Sequence, residues 1–419
     1  MIHYITTNGI GNAWVAAELQ IIQRKGVPCV LHSIRGPHQN FFGSAWADEI
    51  NRNTKLIYPL PPVSFAISVL VAPFLFGGRF FSALGNALFG RREHLRARVA
   101  ALAHLFVACH WARSLRHENV SLIHAQWIQS SGTIAMYGAW LLDLPFSFTG
   151  HAVDLFRDRV ALLDKIERAE FIVCISSFHR DFFIKNGADP KKCHIVFCGI
   201  DVEQMQFRPR PNNPRPRILS IGRLIEKKGF GDLIDACKLL KDRGIDFDCE
   251  IAGDGPLDKP LKEQVARLGL QDRVNVTGKA LLQEQLADWF ASGDVFAQPC
   301  VWSKDNDVDG TPRTLMEAMA CGVPSISTRL VGIPDIIEHD VAGLLVEPHD
   351  VKGLANAMER LIKDKALAQR LALGGRRQME EKFQIDRCLE PLAALYRSKL
   401  NRGTRELAPA PATAGEVAA

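Results

Sequence analysis

The chain has 419 residues, of which 47% are hydrophobic and 23% are charged, and its formal net charge is +5 at pH 7. These fractions are close to the averages of folded proteins, and they argue against wholesale disorder and against a polytopic membrane protein. The length indicates two domains of roughly 150 to 200 residues each. The small positive excess suits an anionic substrate or membrane surface, and no nucleic-acid partner is predicted.

The ten cysteines form no Cys-x-x-Cys pair and show no spacing with histidine that is typical of a metal site. They are interpreted as buried thiols of a protein in a reducing compartment. Met1 leads directly into a strand-like segment and a glycine turn, without the pattern of a signal peptide. We therefore expect the protein to face the cytoplasm.

In chain order, short apolar segments alternate with glycine turns and with segments whose apolar residues recur every three or four positions. This rhythm is typical of strands that alternate with helices in parallel sheets. We predict an α/β protein with two doubly wound Rossmann-like domains, residues 1–206 and 217–384. The strand-like segments are IHYITT, PCVLHSI, SLIHAQ, PFSFTGH, EFIVCIS and HIVFCGID in the first half, and RPRILSIGRL, FDCEIAGDGP, VNVTGK, VFAQPC, PSISTR and AGLLVEP in the second.

Proline-rich and alanine-rich segments mark the boundaries. Residues 207–217 read FRPRPNNPRPR, which excludes a helix or a central strand and predicts a linker. Residues 385–401 predict a C-terminal helix that packs back on the first domain. Residues 402–419 have little to bury, and they predict a disordered tail.

Residues 59–98 interrupt the rhythm with a long apolar segment followed by arginines. Its uncharged run, residues 63–76, contains Pro73 and is shorter than the roughly 20 residues that span a bilayer. Two interpretations stay open: a helix pair buried in the first domain, or peripheral contact with the inner membrane through residues 63–81 and 91–98. The side chains expected to meet lipid in the second case are Phe74, Phe76, Phe80, Phe81, Arg91, Arg92, Arg96 and Arg98.

The turn after the first strand of the second domain carries two cations. In SIGRLIEKKGF, Arg223 and Lys228 lie just past a strand end, where open α/β sheets place their ligands. The planar fork of arginine and the point charge of lysine suit a diphosphate. Gly253 and Gly255 in IAGDGP allow the backbone to approach a phosphate or sugar closely. The alternative is an ordinary pair of solvated surface cations.

Two carboxylates frame the start of a helix in DVDGTPRTLMEAMACGVP. The segment TLMEAMACG predicts a helix that ends at Gly322, with Pro312 at its entrance. Glu317 lies about one turn inside, near the positive end of the helix dipole, and Asp309 lies in the loop after a strand that ends at Cys300. Two such acids can accept hydrogen bonds from ribose and sugar hydroxyls. Acidic capping of the helix is the alternative.

The order of these motifs resembles the retaining glycosyltransferases of family 4, which have the GT-B fold, and most of all the bacterial exopolysaccharide and colanic-acid-type enzymes. The resemblance covers nearly the whole second domain and extends into the first. The motifs that carry it are GRL…KKG, AGDGP, VTGK, the Asp-x7-Glu pair in DGTPRTLMEAMACGVPSIST and GIPDIIEHDVAGLLV, together with IHAQW, FTGHAVDLF, ERAEFIVCIS and CGID.

The resemblance implies that the two domains face a central cleft, with the acceptor on the first domain and a nucleotide sugar on the second. It implies that Arg223 and Lys228 hold the donor diphosphate and that Glu317 bonds the ribose. His151 would reach the donor sugar near the reacting centre. Asp309 stands where the family usually has glutamate, and it would contact sugar hydroxyls. The other implied donor-binding residues are Gly9, Gly11, Gly222, Gly253, Gly255, Gly310, Thr311, Pro312, Thr314 and Leu315.

The implied reaction moves a hexose from a UDP- or GDP-sugar to a lipid-linked or polysaccharide acceptor, with retention of configuration, in cell-surface polysaccharide biosynthesis. No general base and no metal are expected. Residues 305–307, Asp-Asn-Asp, resemble a metal motif of the GT-A fold but are interpreted as a polar loop. One alternative is an NAD-dependent enzyme, although Trp14 replaces the third glycine of its fingerprint. The other is a catalytically inactive sugar-nucleotide-binding subunit.

Overall fold

A computed structural model of the chain describes residues 1–10, 13–36, 45–156, 159–208 and 213–403. Gly11, part of the predicted linker and most of the predicted tail lie outside the described residues. In the first half, the elements are β1 Ile2–Thr6, α1 Ala13–Arg24, β2 Cys29–Ser33, α2 Ala45–Asn53, β3 Lys55–Leu56, α3 Pro62–Phe76, α4 Gly78–Phe89, α5 Leu95–Leu115, β4 Leu122–Gln126, α6 Ser130–Leu142, β5 Phe146–Gly150, α7 Ala152–Phe156, α8 Leu162–Arg168, β6 Phe171–Cys174, α9 Ser177–Lys185 and β7 Cys193–Ile195.

The second half begins with a strand directly after the proline-rich segment. Its elements are β8 Arg217–Ile221, α10 Phe230–Asp242, β9 Asp248–Ala252, α11 Asp258–Arg267, β10 Val274–Val276, α12 Leu286–Ala291, β11 Val295–Gln298, α13 Arg313–Ala320, β12 Ser325–Thr328, α14 Ile333–Ile336, β13 Leu344–Val346, α15 Val351–Lys363, α16 Lys365–Lys382, α17 Ile385–Cys388 and α18 Glu390–Gly403.

The strands form two parallel sheets, in the orders β3-β2-β1-β4-β5-β6-β7 and β10-β9-β8-β11-β12-β13. The order reverses between β1 and β4 in the first sheet and between β8 and β11 in the second. Such reversals open a crevice beyond the carboxyl ends of the strands, which is where doubly wound sheets bind ligands. The predicted fold class, α/β with two doubly wound sheets, is confirmed.

Both faces of each sheet are covered by helices, which explains why the strands read as continuous apolar segments. Every residue of β1, β4 and β5 is buried. The short strand β3 was not predicted, because both of its residues are exposed at the sheet edge. Strand β7 ends at Ile195, so the predicted segment HIVFCGID is strand only at its start.

The C-terminal segment forms two helices where the sequence predicts one, because the helix is interrupted at Leu389, between α17 and α18. Helix α18 lies against the first sheet. Tyr396 is fully buried there, its hydroxyl is 2.7 Å from that of Tyr4, and its ring packs against Phe171.

The long apolar segment forms α3 and α4, and each has one face in the core of the first unit. The expectation that Phe76 and Phe80 meet lipid is wrong, because both are buried in that core. Arg92 is also not available to lipid, since its side chain is 1% exposed and pairs with Asp164 at 2.5 Å. The opposite face is exposed, and we call it the apolar face. It consists of exposed residues on α3 (Val63, Leu70 and Phe74) and on α4 (Phe81 and Phe89), and we include Leu95 at the start of α5.

No single helix in the described part of the chain is both long and apolar enough to cross a bilayer. Helices α3 and α4 meet the length and composition criterion only as a pair, and they join at a bend of 117°.

Candidate active site

The predicted site residues gather at the carboxyl ends of strands around the two reversals of strand order. In the second unit, Gly222 and Arg223 follow β8, and the loop that carries Asp309 follows β11. In the first unit, Gly9 follows β1 and His151 follows β5. The topology thus brings segments that are distant in sequence to one cleft.

The two units touch across this cleft. The backbone N–H and the hydroxyl of Ser177 in the first unit both donate to the carboxylate of Asp335 in the second, at 2.7 Å each. A Cβ atom on Gly310 would lie 2.9 Å from Cε1 of His179. Glycine at position 310 is therefore required for the units to approach this closely.

Lys228 and Asp309 form an ion pair beside the cleft, with Nζ 2.5 Å from Oδ2. Lys227 reinforces it, because its Nζ lies 3.5 Å from Asp309 and 3.0 Å from Asp307. Burial alone would lower the pKa of Lys228, but the Asp309 carboxylate raises it above the ordinary lysine value. Burial would raise the pKa of Asp309, yet the two lysines hold it below its usual range. Lys228 and Asp309 therefore both stay charged at neutral pH. Sequence reasoning missed the contribution of Lys227.

Arg223 is exposed and does not join this ion pair. It lines a neighbouring cavity of about 340 Å³ together with Lys227, Ser303, Asp305 and Asp307. The two predicted cations therefore lie in the same loop region but have different surroundings: Arg223 lines this cavity, and Lys228 is in the adjoining ion pair.

Glu317 lies on α13, and its residue is only 2% exposed. Its Oε1 accepts a hydrogen bond from Nε of Arg313 at 2.9 Å and one from Nε2 of Gln283 at 3.4 Å. Sequence reasoning named neither partner, although Arg313 lies four positions before Glu317, a spacing at which helical side chains meet. One oxygen of this carboxylate is thereby fixed by a cation.

The entrance to α13 differs slightly from the sequence prediction. The preceding strand ends at Gln298, two residues before the predicted end, and the helix begins directly after Pro312. The hydroxyl of Thr314 donates to the side chain of Gln298 at 3.0 Å, which ties the helix to β11. The side chain of Leu315 is buried in the core of the second unit. Only its backbone could therefore meet a ligand.

The glycines after β8 and β9 let two loops pack against each other. A Cβ atom on Gly253 would lie 1.9 Å from the carbonyl oxygen of Gly222, and one on Gly255 would lie 2.7 Å from that of Leu224. These glycines are required by backbone packing within the protein. In the first unit, Gly9 has a φ of 57° and donates its N–H to the hydroxyl of Ser33 at 2.6 Å.

His151 lies in a neutral, largely aromatic environment. Its Nε2 is 3.2 Å from Oε1 of Gln126, and the rings of His151 and Trp127 lie 5.3 Å apart. Burial lowers the pKa of His151 to about 4, so the imidazole is neutral at physiological pH. Trp127 has a φ of 65°, an uncommon conformation for a bulky side chain that often marks a functional site.

A cavity of about 160 Å³ lies between the units beside His151. Its walls combine first-unit aromatic side chains with the entrance to α13. The lining residues are Trp14, Trp127, His151, Cys198, Gly199, Thr311, Arg313 and Met316.

Within the described ranges, no group of three or more His, Cys, Asp or Glu side chains is arranged to hold a metal ion. Asp307 of the Asp-Asn-Asp segment is engaged by Lys227, and Asp305 accepts from the hydroxyl of Ser303.

Comparison with protein families gives two adjacent matches. Residues 82–204 match the family described as Glycosyltransferase Family 4, and residues 201–378 match the family described as Glycosyl transferases group 1. Together the two matches cover residues 82–378, and both are to families of glycosyltransferases. The resemblance stated from the motifs is thereby confirmed, and the residue 201 boundary of the second match lies close to the start of the linker.

Two relatives are similar to about half of this chain. The amylovoran biosynthesis glycosyltransferase AmsK of Erwinia amylovora is 35% identical over 232 residues, which are 54% of this chain and 57% of that protein. The GDP-mannose-dependent alpha-(1-6)-phosphatidylinositol monomannoside mannosyltransferase of Mycobacterium tuberculosis is 27% identical over 240 residues, 54% of this chain and 62% of that protein. The match therefore spans less than two thirds of either relative.

Solved structures with a similar two-domain fold cover nearly the whole chain. A glycosyltransferase from Rickettsia africae ESF-5 gives a TM-score of 0.69 over 95% of this chain and 98% of its own, at 16% identity. A sucrose-phosphate synthase from Thermosynechococcus elongatus gives 0.70 over 96% and 99%, at 17% identity. Identities this low concern the fold alone, and the fold predicted from the motifs is confirmed.

Proposed function

We propose that the protein transfers a hexose from a UDP- or GDP-sugar to a lipid-linked or polysaccharide acceptor, with retention of anomeric configuration, in cell-surface polysaccharide biosynthesis. The observation that carries this proposal is the ion pair between Lys228 and Asp309 at the cleft, close in sequence to the buried Glu317. The names of two relatives support this proposal, because one refers to amylovoran biosynthesis and the other to transfer of mannose that depends on GDP-mannose and involves phosphatidylinositol monomannoside.

The charges support recognition of a nucleotide diphosphate. Lys228 is partly buried against Asp309, and an incoming diphosphate can share its Nζ, whose three N–H groups are not exhausted by one carboxylate. Arg223 is exposed on the same loop region and can close over the outer phosphate oxygens. Positive charge fixed at this position stabilises the departing diphosphate as the glycosidic bond to it breaks.

The carboxylates support binding of hydroxyls. Oε1 of Glu317 is held by Arg313, and Asp309 is held by two lysines. We assign neither of them the role of the nucleophile in a double-displacement hydrolase, in which two carboxyl groups about 5 Å apart flank the scissile bond. We assign Glu317 to the ribose and Asp309 to the sugar. The departing diphosphate then takes the proton of the acceptor hydroxyl.

We further propose that transfer needs no metal ion. Lys227, Lys228 and Arg223 supply the positive charge that a divalent cation would otherwise provide to a diphosphate. Transfer measured with EDTA present is expected to equal transfer with added Mg²⁺. A strict requirement for Mg²⁺ or Mn²⁺ would contradict this assignment.

The direct test of function is a donor screen. We expect one or more UDP- or GDP-sugars to raise the melting temperature, because a ligand that binds only the folded state stabilises it more the tighter it binds. The stabilising donor is then incubated with lipid-linked acceptors, and the anomeric configuration of the product is read by NMR. Inversion of configuration, or no transfer by protein that binds the donor, would contradict the proposal.

We also propose that the apolar face lies against the inner surface of the membrane, where a lipid-linked acceptor is found. Phe74 and Phe89 are 88% and 84% exposed, and no acidic residue occurs between residues 59 and 92. Arg91 and Arg96 are exposed beside this face. Aromatic side chains flanked by cations suit an anionic lipid surface.

Vesicle sedimentation tests this placement. Wild-type protein is expected to sediment with vesicles that contain phosphatidylglycerol, and the Phe74→Ser/Phe89→Ser double variant is expected to remain in solution. Leu373→Ser is the matched control, since Leu373 is 48% exposed on α16, away from this face. Equal sedimentation of wild type and the double variant would exclude the apolar face as the contact.

A further inference from the structure

A buried carboxylate in the first unit has no part in the site described so far. Glu18, on α1, is 1% exposed, and its two hydrogen-bond partners are both uncharged. Burying a carboxyl group among uncharged partners destabilises its ionised form, and burial raises the pKa of Glu18 to about 7. Because burial of this carboxyl group is unfavourable, its position indicates that Glu18 has a specific function in the protein.

Its contacts lead directly to His151. Nε2 of Gln126 donates to Oε1 of Glu18 at 2.5 Å, and Oε1 of Gln126 lies 3.2 Å from Nε2 of His151. The hydroxyl of Tyr4 donates to the same Oε1 of Glu18 at 3.0 Å. The three groups Glu18, Gln126 and His151 therefore form one chain of hydrogen bonds that ends at the cleft.

The chemistry of the chain determines which way its amide points. An ionised carboxylate only accepts hydrogen bonds, so Glu18 requires Gln126 to present its NH₂ group. The carbonyl oxygen of Gln126 must then face His151. Both bonds to Glu18 meet Oε1, so protonation of the other oxygen, Oε2, leaves this orientation unchanged. A reversed amide would place two oxygen atoms against each other.

The orientation of the amide in turn selects the tautomer of the imidazole. A carbonyl oxygen can only accept, so Nε2 of His151 must carry the proton and Nδ1 must carry the lone pair. Trp127 restricts the tilt of the ring by packing against it. This arrangement matches the general way in which a hydrogen bond at one imidazole nitrogen defines the role of the other.

We propose that Glu18 and Gln126 are positioning residues that fix His151 in its Nε2–H tautomer and in one orientation at the cleft. The inference rests on the proposed function for its catalytic meaning, since the family resemblance implies that His151 reaches the donor sugar near the reacting centre. The state of the imidazole itself can be measured without any substrate. A result that contradicts the hydrogen-bond chain can therefore be distinguished from a result that contradicts the proposed function.

The experiment uses the full chain with ¹⁵N-labelled histidine. The signals of His151 are identified by their loss in His151→Asn, and their pattern reports which nitrogen is protonated. Wild type is expected to give the Nε2–H tautomer alone. Glu18→Gln, whose amide can also donate, frees Gln126 to turn over, and a mixture of the two tautomers is expected. Gln126→Leu removes both bonds and is expected to give a mixture as well.

Tyr396→Phe is the matched control. It removes a buried hydroxyl from the far side of Tyr4 but leaves the bonds among Glu18, Gln126 and His151, so the pure Nε2–H tautomer is expected. If Gln126→Leu does not fold, Glu18→Gln decides alone, because it preserves shape. An unchanged Nε2–H tautomer in folded Glu18→Gln would overturn the proposal, as would the Nδ1–H tautomer in wild type.

Kinetics add a readout that a purely structural role would not move. With the donor identified by the screen, Glu18→Gln is expected to lower kcat about tenfold and to leave KM for the donor within about twofold, since misplacement of a reacting-centre group acts on the chemical step. A rise in KM with unchanged kcat would contradict a role at the reacting centre. If wild type shows the Nε2–H tautomer but no transfer, the proposed function is refuted, while the inference about the hydrogen bonds among Glu18, Gln126 and His151 still holds.

Discussion

The two walls of the cleft are built from opposite kinds of chemistry. The second unit presents charges in pairs, Lys228 with Asp309 and Arg313 with Glu317. The first unit presents His151, which burial keeps neutral, held by an uncharged amide and an indole. The difference indicates a division of labour, in which the charged wall binds the diphosphate and hydroxyls and the neutral wall positions the reacting centre.

The largest expected effect comes from removing the central cation of the charged wall. Lys228→Ala leaves the partly buried Asp309 with only the more distant Lys227, and it removes the fixed charge beside the departing diphosphate. We expect kcat/KM to fall by at least about 100-fold. Lys227→Ala is the control, with an expected loss below about tenfold, because Lys228 still pairs with Asp309. Equal losses in the two variants would show that the Lys228–Asp309 pair has no special role.

The neutral wall can be tested through stability. The pKa of Glu18 is raised from 4.5 to about 7 in the folded protein, so its ionisation destabilises the fold as pH rises from 4.5 to 7. Glu18→Gln removes this penalty, and we expect the variant to gain up to about 3 kcal/mol relative to wild type at pH 8 and little at pH 4.5. Denaturant unfolding at the two pH values measures the difference. A gain that is the same at both would mean that Glu18 ionises normally.

Buried histidines of the first unit lower the stability of the protein as the pH falls, whereas Glu18 lowers it as the pH rises. Burial lowers the pKa of His124 to about 3 and that of His3 to about 4. The unfolded chain therefore takes up protons below pH 6.5 that the folded chain does not, and stability falls from pH 6.5 to about 4. We expect the melting temperature to drop over this range, and His124→Asn to weaken the drop. A melting temperature that is constant from pH 6.5 to 4 would contradict the neutral state of this region.

Glu317→Gln retains a hydrogen-bonding side chain but loses the charge that pairs with Arg313. We expect about a tenfold rise in KM for the donor with a smaller change in kcat, because ribose contacts are made equally before and during transfer. A 2′-deoxy nucleotide sugar should show little further loss in this variant. A full additional loss with the deoxy donor would assign the ribose to another residue.

The smallest effect is expected for Asp309→Glu, which adds one methylene and lengthens the reach of the carboxylate. We expect kcat/KM for the preferred donor to change less than about tenfold, while the ratio between two donor sugars changes more clearly. The panel of nucleotide sugars measures both quantities. A complete loss of activity would indicate that the short contact between Asp309 and Lys228 is essential in itself.

Much of the fold could be predicted from the sequence because strands buried on both faces leave uninterrupted apolar segments. The short edge strand β3 could not, since its two residues are exposed. The sequence could not show that Phe74 is exposed and Phe76 is buried. Helix α3 is apolar on all sides, so which of its faces is buried depends on packing alone. The break at Leu389 likewise depends on packing against the first sheet.

The charged wall was predictable because its residues lie in short motifs. Its pairings were not, since Lys227 carries no signal beyond its charge, and the four-residue spacing of Arg313 and Glu317 indicates that the two side chains can meet but does not establish that they do. The hydrogen-bond chain that holds His151 could not be predicted from the sequence, because Glu18 and Gln126 are 108 positions apart. Only the adjacency of α1 and β4 around the first sheet brings them together.

Calorimetric titration with UDP and GDP tests the central claim most directly, because it separates nucleotide binding by the charged wall from chemistry at the neutral wall. We predict that one of these nucleotides binds wild type and Gln126→Leu with dissociation constants within about twofold, and that Lys228→Ala weakens this binding by about 100-fold or more. Undiminished binding by Lys228→Ala, or the absence of binding of both nucleotides to wild type, would contradict the account.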